Sequence, residues 1–171
     1  MPDDHRGIRL LIICSGNICR SPMALALAGS ILADRGIPVD WVDSAGTLGI
    51  EGQPAASFAI EAVRELGLDL SRHLSKGISE GLVDAADYIL AMAPDHVREI
   101  RRRHPRAAEK TVPLWEFTTR EGRLARIADP IGRPLETYLL CREDLVECLG
   151  NWADSLPAST RTGGSASSTN P

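Results

Sequence analysis

Four short apolar runs, each followed by a stretch of helical spacing, set the tightest limit on how this chain can fold. Arg9-Leu-Leu-Ile-Ile-Cys14 is short, branched and unbroken by polar residues, which predicts a strand covered on both faces. A helix is expected from Ser21, with Ser21 as N-cap, Pro22 at the first helical position and Gly36 just past the end. Residues 39–44 read as a second strand. A helix over 55–66 follows, with Phe58, Ala62 and Leu66 on one face and Gly67 closing it. Residues 87–92 make a third strand, and Pro94 opens a basic helix to about Arg103. Residues 111–117 supply a fourth strand, and Pro134 starts a last helix reaching about Asp154. Strands separated by helices predict the α/β class, here a four-stranded parallel sheet flanked by helices. Ligands of such sheets collect at the carboxyl ends of the strands.

Composition removes several functions. At 171 residues and 43% hydrophobic, the chain can bury one real core, expected within residues 1–155. Residues 156–171 are rich in Ser, Thr, Gly and Pro without apolar period, and read as a disordered tail. Aromatic residues make up only 4% and lie scattered, so no stacking platform for nucleic acid is expected. The net charge of −4 also argues against a phosphate-backbone binder. The apolar run from Leu10 to Cys14 is far too short to span a bilayer, and Asp3 and Asp4 do not suit a signal peptide. A cytoplasmic location is therefore the default expectation. Cys14, Cys19, Cys141 and Cys148 lack zinc spacing, so neither a metal nor a cofactor is implied.

The first strand runs straight into Cys14-Ser-Gly-Asn-Ile-Cys-Arg-Ser21. A cysteine, a run of backbone amides and an arginine thus meet at the opening of a helix. Successive N–H groups form an anion nest there, and the helix N-terminus adds positive potential. Gly16 would permit a tight turn, and the planar fork of Arg20 can grip two phosphate oxygens. The same field favours a thiolate at Cys14, a nucleophile aimed at phosphorus. The alternative, a buried strand-end cysteine beside an ordinary arginine, would suffice for the two residues alone. The full octet followed by Pro22, between a strand and a helix, outweighs it.

Cys14-Ser-Gly-Asn-Ile-Cys-Arg-Ser-Pro22 resembles the signature of the low-molecular-weight protein tyrosine phosphatases. The resemblance runs from about Arg9 to Asp154 and takes in Asp43-Ser-Ala-Gly46, the Asp87–Met92 segment and Asp129-Pro130. It implies a phosphate-binding loop of Ser15, Gly16, Asn17, Ile18 and Cys19. Cys14 would form a phosphocysteine, Arg20 and the loop amides would stabilise the equatorial oxygens, and Asp129 would be general acid and base. Without that loop, Asp129-Pro130 would read as a common turn. Asn17, Ser21, Ser44 and His73 match a supporting hydrogen-bond network of the family, although His73 alone could equally be a surface or core histidine. Cys19 matches a cysteine found in many members. It is either a redox partner of Cys14 or a small apolar core residue. Cys141 and Cys148, seven apart on one helix face, read as packing residues. The basic group Arg98, Arg101, Arg102, Arg103 and Arg106 reads as a solvated helix end complementing the dipole.

The chain departs from the family pattern at the substrate walls. Positions that are often aromatic hold Ile50 and Ile131, which removes ~1 kcal/mol of ring-on-ring contact. Leu25 stands where Glu is frequent, and nothing in the sequence explains that change. The Asp129-Pro-Ile-Gly132 segment resembles the protein-arginine phosphatase branch, whereas Ile18 resembles tyrosine-specific members, since that branch carries Thr there. Phosphotyrosine on protein is thus the leading expected substrate and phosphoarginine the alternative. An arsenate reductase of this fold would need two further cysteines near the third strand, and the segment 71–92 has none. A non-catalytic phosphate-binding module would be favoured by loss of Cys14, Arg20 or Asp129. All three are present.

Overall fold

The computed structural model describes residues 7–122 and 124–161. Four strands, β1 (Ile8–Cys14), β2 (Val39–Gly46), β3 (Tyr88–Ala91) and β4 (Thr111–Pro113), form a wholly parallel sheet in the order β2-β1-β3-β4. β1 sits in the interior of the sheet, and Leu10, Leu11, Ile12 and Ile13 are wholly buried. Each such side chain contributes roughly 1.5–3 kcal/mol by leaving water. The continuous apolar run is what a central strand covered on both faces requires.

The chain leaves β1 to build β2 on one side and crosses to build β3 on the other. That order creates a switch point between the ends of β1 and β3, where the two following loops diverge and leave a crevice. The loop after Cys14 and the first turn of the helix after β3 both open onto it.

The helices are α1 (Arg20–Asp34), α2 (Ser57–Arg64), α3 (Glu80–Ala85), α4 (Pro94–Arg103) and α5 (Leu135–Ser155). α5 packs on α1 and α2, and its buried face carries Tyr138, Cys141, Leu145, Cys148, Leu149 and Trp152, with Tyr138 edge-on to Phe58 of α2 and Trp152 edge-on to Tyr88 of β3. Cys141 and Cys148 are thus core residues with free thiols, and burial raises the Cys148 thiol to about 12. The basic end of α4 is solvated as expected, with Arg102 and Arg103 paired to Glu99.

Several expectations are corrected. α1 begins at Arg20, not Ser21, and Ser21 is not its cap: Cys19 occupies that position and makes no side-chain capping bond. The Ser21 hydroxyl is committed to the preceding loop instead. The fourth strand stops at Pro113, which has no N–H to extend a ladder. Residues Leu114–Phe117 turn into a 3-10 helix that buries Leu114 and Trp115. α3 was not expected; it is six residues long and capped by Ser79, whose Oγ accepts from the Leu82 N–H at 3.2 Å. Residues 156–161, expected to be disordered, are ordered because Leu156 is buried in the core and residues Ala158–Thr160 form a 3-10 turn. The rest of the expected tail, residues 162–171, lies outside the described residues.

Candidate active site

The loop that follows β1 is shaped by one buried asparagine. Asn17 has φ 56°, the only non-glycine among the described residues in the left-handed region. Asparagine tolerates that conformation better than other L residues, because its short amide can bond locally. The expected turn-former, Gly16, has no positive φ; a Cβ there would make ordinary contact with Ile18 and Ile50, nearest at their Cδ1 atoms, each 3.7 Å away. Close approach is needed instead at Gly46, where a Cβ would stand 2.5 Å from the Ser15 carbonyl oxygen. The bare end of β2 therefore lets the loop lie against it, held by Thr47 N–H to Cys14 O and Leu48 N–H to Ser15 O, both 3.0 Å.

Every polar group of Asn17 is engaged. The Lys76 N–H can only donate, so the Asn17 atom 3.0 Å from it is the acceptor Oδ1, which fixes the amide orientation. Nδ2 then donates to Ser21 Oγ at 2.8 Å and to Ser44 Oγ at 2.9 Å. The Asn17 carbonyl accepts from His73 Nε2 at 2.8 Å, which places a proton on that nitrogen. Burial holds the His73 ring below the usual histidine range, so the neutral form carries this bond. Hydrogen bonds thus join Asn17 to Ser21, Ser44 and His73.

That network converges on sulfur. Ser21 Oγ accepts from Asn17, which leaves its own proton for Cys14 Sγ, 3.0 Å away. The Asn17 N–H also points at Sγ, at 3.3 Å. Two donors are thus aimed at one sulfur. Cys14 is 2% exposed, at the floor of a slot of ≈ 20 Å³ lined by Gly16, Ile18, Cys19, Arg20, Asp129 and Ile131.

Arg20 is the wall of that slot. Its Nη1 donates to the Ile127 carbonyl at 3.0 Å, and Nη2 reaches Ser15 Oγ at 3.3 Å and Asp129 Oδ2 at 3.2 Å. The Ile127 N–H in turn bonds Met92 O at 2.8 Å, tying the distant Asp129 loop to the end of β3. Asp129 Oδ1 accepts from the Ile131 N–H at 3.1 Å, an Asx turn that aims the carboxylate at the slot. Ile131 lines the slot and is 59% exposed, while Ile50 is half-buried next to Gly16 and is not among the residues lining the slot.

Cys19 is buried with a free thiol beside the Tyr138 hydroxyl, and burial pushes its thiol up to about 11. A larger cavity of ≈ 380 Å³ opens between α3 and the turn Pro105–Lys110, and no cysteine lines it. Among the described residues no group of three or more His, Cys, Asp or Glu side chains could hold a metal ion, and no helix is long and apolar enough to cross a membrane.

The sequence reading missed one residue here. His96, in the first turn of α4, is 1% exposed and places Nε2 2.8 Å from Ser15 Oγ. The only sequence signal was its place two residues after Pro94, at a strand-to-helix junction facing the switch point.

Comparison with known proteins agrees with this geometry. Residues 9–162 match the family model described as low molecular weight phosphotyrosine protein phosphatase. The chain belongs to this family. A protein-arginine-phosphatase of Geobacillus stearothermophilus is 36% identical over 148 residues, spanning 86% of this chain and 95% of that protein. The low molecular weight protein-tyrosine-phosphatase Ptp of Acinetobacter johnsonii is 35% identical over 108 residues, 63% of this chain and 72% of that protein. The crystal structure of a low molecular weight protein tyrosine phosphatase from T. tengcongensis superposes with TM-score 0.78 at 37% identity, covering 88% of this chain and all of that one. Members named for two phosphoamino acids thus share the phosphatase fold seen here.

Proposed function

We propose that this low molecular weight phosphatase hydrolyses phosphotyrosine on protein through a phosphocysteine on Cys14. The phosphoryl group enters the slot and takes the Nη2 donor that Asp129 occupies at 3.2 Å. Arg20 and the loop amides then hold the three equatorial oxygens, where charge gathers as the P–O bond loosens. The Cys14 thiolate attacks phosphorus in line. The P–O bond to the tyrosyl oxygen breaks, its electron pair goes to that oxygen, and protonated Asp129 supplies the proton. Water then attacks the phosphocysteine and gives a proton to Asp129. The S–P bond breaks towards sulfur, releasing inorganic phosphate and restoring the thiolate. Ser21 and Asn17, both donating to Cys14 Sγ, stabilise the sulfur as attacker and as leaving group.

The observation that carries tyrosine over arginine is the chemistry of the slot's mouth. Beyond the thiol groups it offers the side chains of Ile18 and Ile131 and a single carboxylate, Asp129. Against aliphatic walls an aryl ring forgoes ~1 kcal/mol of ring contact but leaves no polar group unpaired, whereas a buried phosphoguanidine would leave N–H groups short of acceptors. A phosphoarginine reading is favoured by the identity with the Geobacillus protein and by Gly132, at φ 72°, in the Asp-Pro-x-Gly segment. Hydrolysis of matched phosphotyrosine and phosphoarginine peptides decides between them. Faster release from phosphotyrosine supports the present reading; a preference for phosphoarginine replaces it.

A further inference from the structure

His96 belongs to neither the loop nor the Asp129 segment, yet it is buried beside the loop, with the charges of Asp129 and Arg126 acting on its ring. The switch point brings the first turn of α4 alongside the loop after β1, and His96 reaches Ser15 Oγ at 2.8 Å. Its Nδ1 is buried without a hydrogen-bond partner among the described residues. An unpaired buried polar atom destabilises the fold, so the ring's one bond carries a return elsewhere. A buried N–H without acceptor is worse than a bare lone pair, so the proton belongs on Nε2, which donates to Ser15 Oγ.

Ser15 Oγ also accepts from Arg20 Nη2 at 3.3 Å. When a phosphoryl group displaces Asp129, Arg20 keeps two protein partners, the Ile127 carbonyl and this hydroxyl. The carbonyl is fixed by backbone, but a serine hydroxyl turns freely about χ1 unless something holds it. His96 is that hold. It must stay neutral to serve, because a second cation beside Arg20 would repel the guanidinium. The charged groups facing it are Arg20 from α1, Asp129 and Arg126 from the segment before α5, and Asp95 on its own helix.

We propose that His96 is a positioning residue for the phosphatase reaction, fixing Arg20 through Ser15 Oγ in the plane that receives the phosphoryl oxygens. This rests on the reading of Arg20 as the phosphoryl clamp. The test compares the full chain with His96→Ala, His96→Gln, Ser15→Ala and the double variant Ser15→Ala/His96→Ala. The readouts are p-nitrophenyl phosphate turnover, vanadate inhibition and thermal unfolding. His96→Ala is expected to lower kcat/KM about ten-fold and to weaken vanadate inhibition by a similar factor, the size of one lost bond on a charged group's anchor. His96→Gln, whose amide nitrogen reaches the Nε2 position, restores most of both. Ser15→Ala reproduces the His96→Ala loss, and the double variant loses no more than either alone. Losses that multiply in the double variant, or a folded His96→Ala indistinguishable from wild type, overturn the proposal. Where His96→Ala does not fold, unchanged vanadate inhibition in Ser15→Ala overturns it equally. A wild-type chain that neither turns over the ester nor binds vanadate sinks the phosphatase reading and this one with it.

Discussion

Arg20 Nη2 stands 3.2 Å from Asp129 Oδ2, although 109 residues separate the two in the chain. Arg20 is 5% exposed and fixed by the Ile127 carbonyl, whereas Asp129 is 40% exposed and on a loop. The arginine is therefore the anchored partner, and the carboxylate is the one free to move to a leaving group. Asp129→Asn is expected to slow phenyl phosphate by roughly 10²–10³ and p-nitrophenyl phosphate far less, because nitrophenolate leaves without a proton. Steady-state rates on both esters check this. Equal losses would remove Asp129 from proton transfer.

Asn17 holds the loop in a conformation its backbone would not choose. Asn17→Ala leaves Ser44, Ser21 and the Lys76 N–H without their partner and keeps a positive φ on a residue that disfavours it. The expected cost is roughly 3–4 kcal/mol of stability, together with a large loss of turnover as the donors at Cys14 Sγ disperse. Urea unfolding and p-nitrophenyl phosphate assays measure the two effects. A variant as stable and as active as wild type would show that the network only decorates the loop.

Much of this was legible locally. β1, the loop octet and the helix after it are contiguous, so spacing alone places nucleophile, amides and arginine together. Ser44 and His73 followed from resemblance, not from spacing, because their approach to Asn17 depends on β2 and on the segment after α2. His96 was invisible for a related reason: 81 residues separate it from Ser15, and only the sheet order β2-β1-β3-β4 joins them. For Ser21 only the capping half of the reading fails, because its single hydroxyl serves the sulfur and the Asn17 amide instead of the helix end. The fourth strand was overextended because Leu114 and Trp115 are as apolar as a strand, while the missing N–H of Pro113 decides the ladder.

His96 also predicts how stability responds to acid. Burial, reinforced by Arg20, lowers its ring from the ordinary 6.5 to about 4. The unfolded chain then binds a proton between those values that the folded chain refuses, so stability falls as pH drops from about 6.5 towards 4 and is level above it. The loss is at most roughly 3 kcal/mol. Lowered carboxylates such as Asp154 and Glu147 act at lower pH, and His73 acts with the same sign. Thermal unfolding between pH 7.5 and 5 is expected to drop more steeply for wild type than for His96→Gln. Parallel curves would mean that the folded ring takes up its proton freely.

In the proposed mechanism Cys14 carries the phosphoryl group. Replacing Cys14 with Ser keeps the shape of the slot and removes the sulfur that both Ser21 and Asn17 address. The decisive measurement is p-nitrophenyl phosphate turnover by folded Cys14→Ser alongside its binding of inorganic phosphate. The predicted result is no detectable turnover with phosphate binding largely intact. Turnover near the wild-type rate would contradict the phosphocysteine mechanism outright.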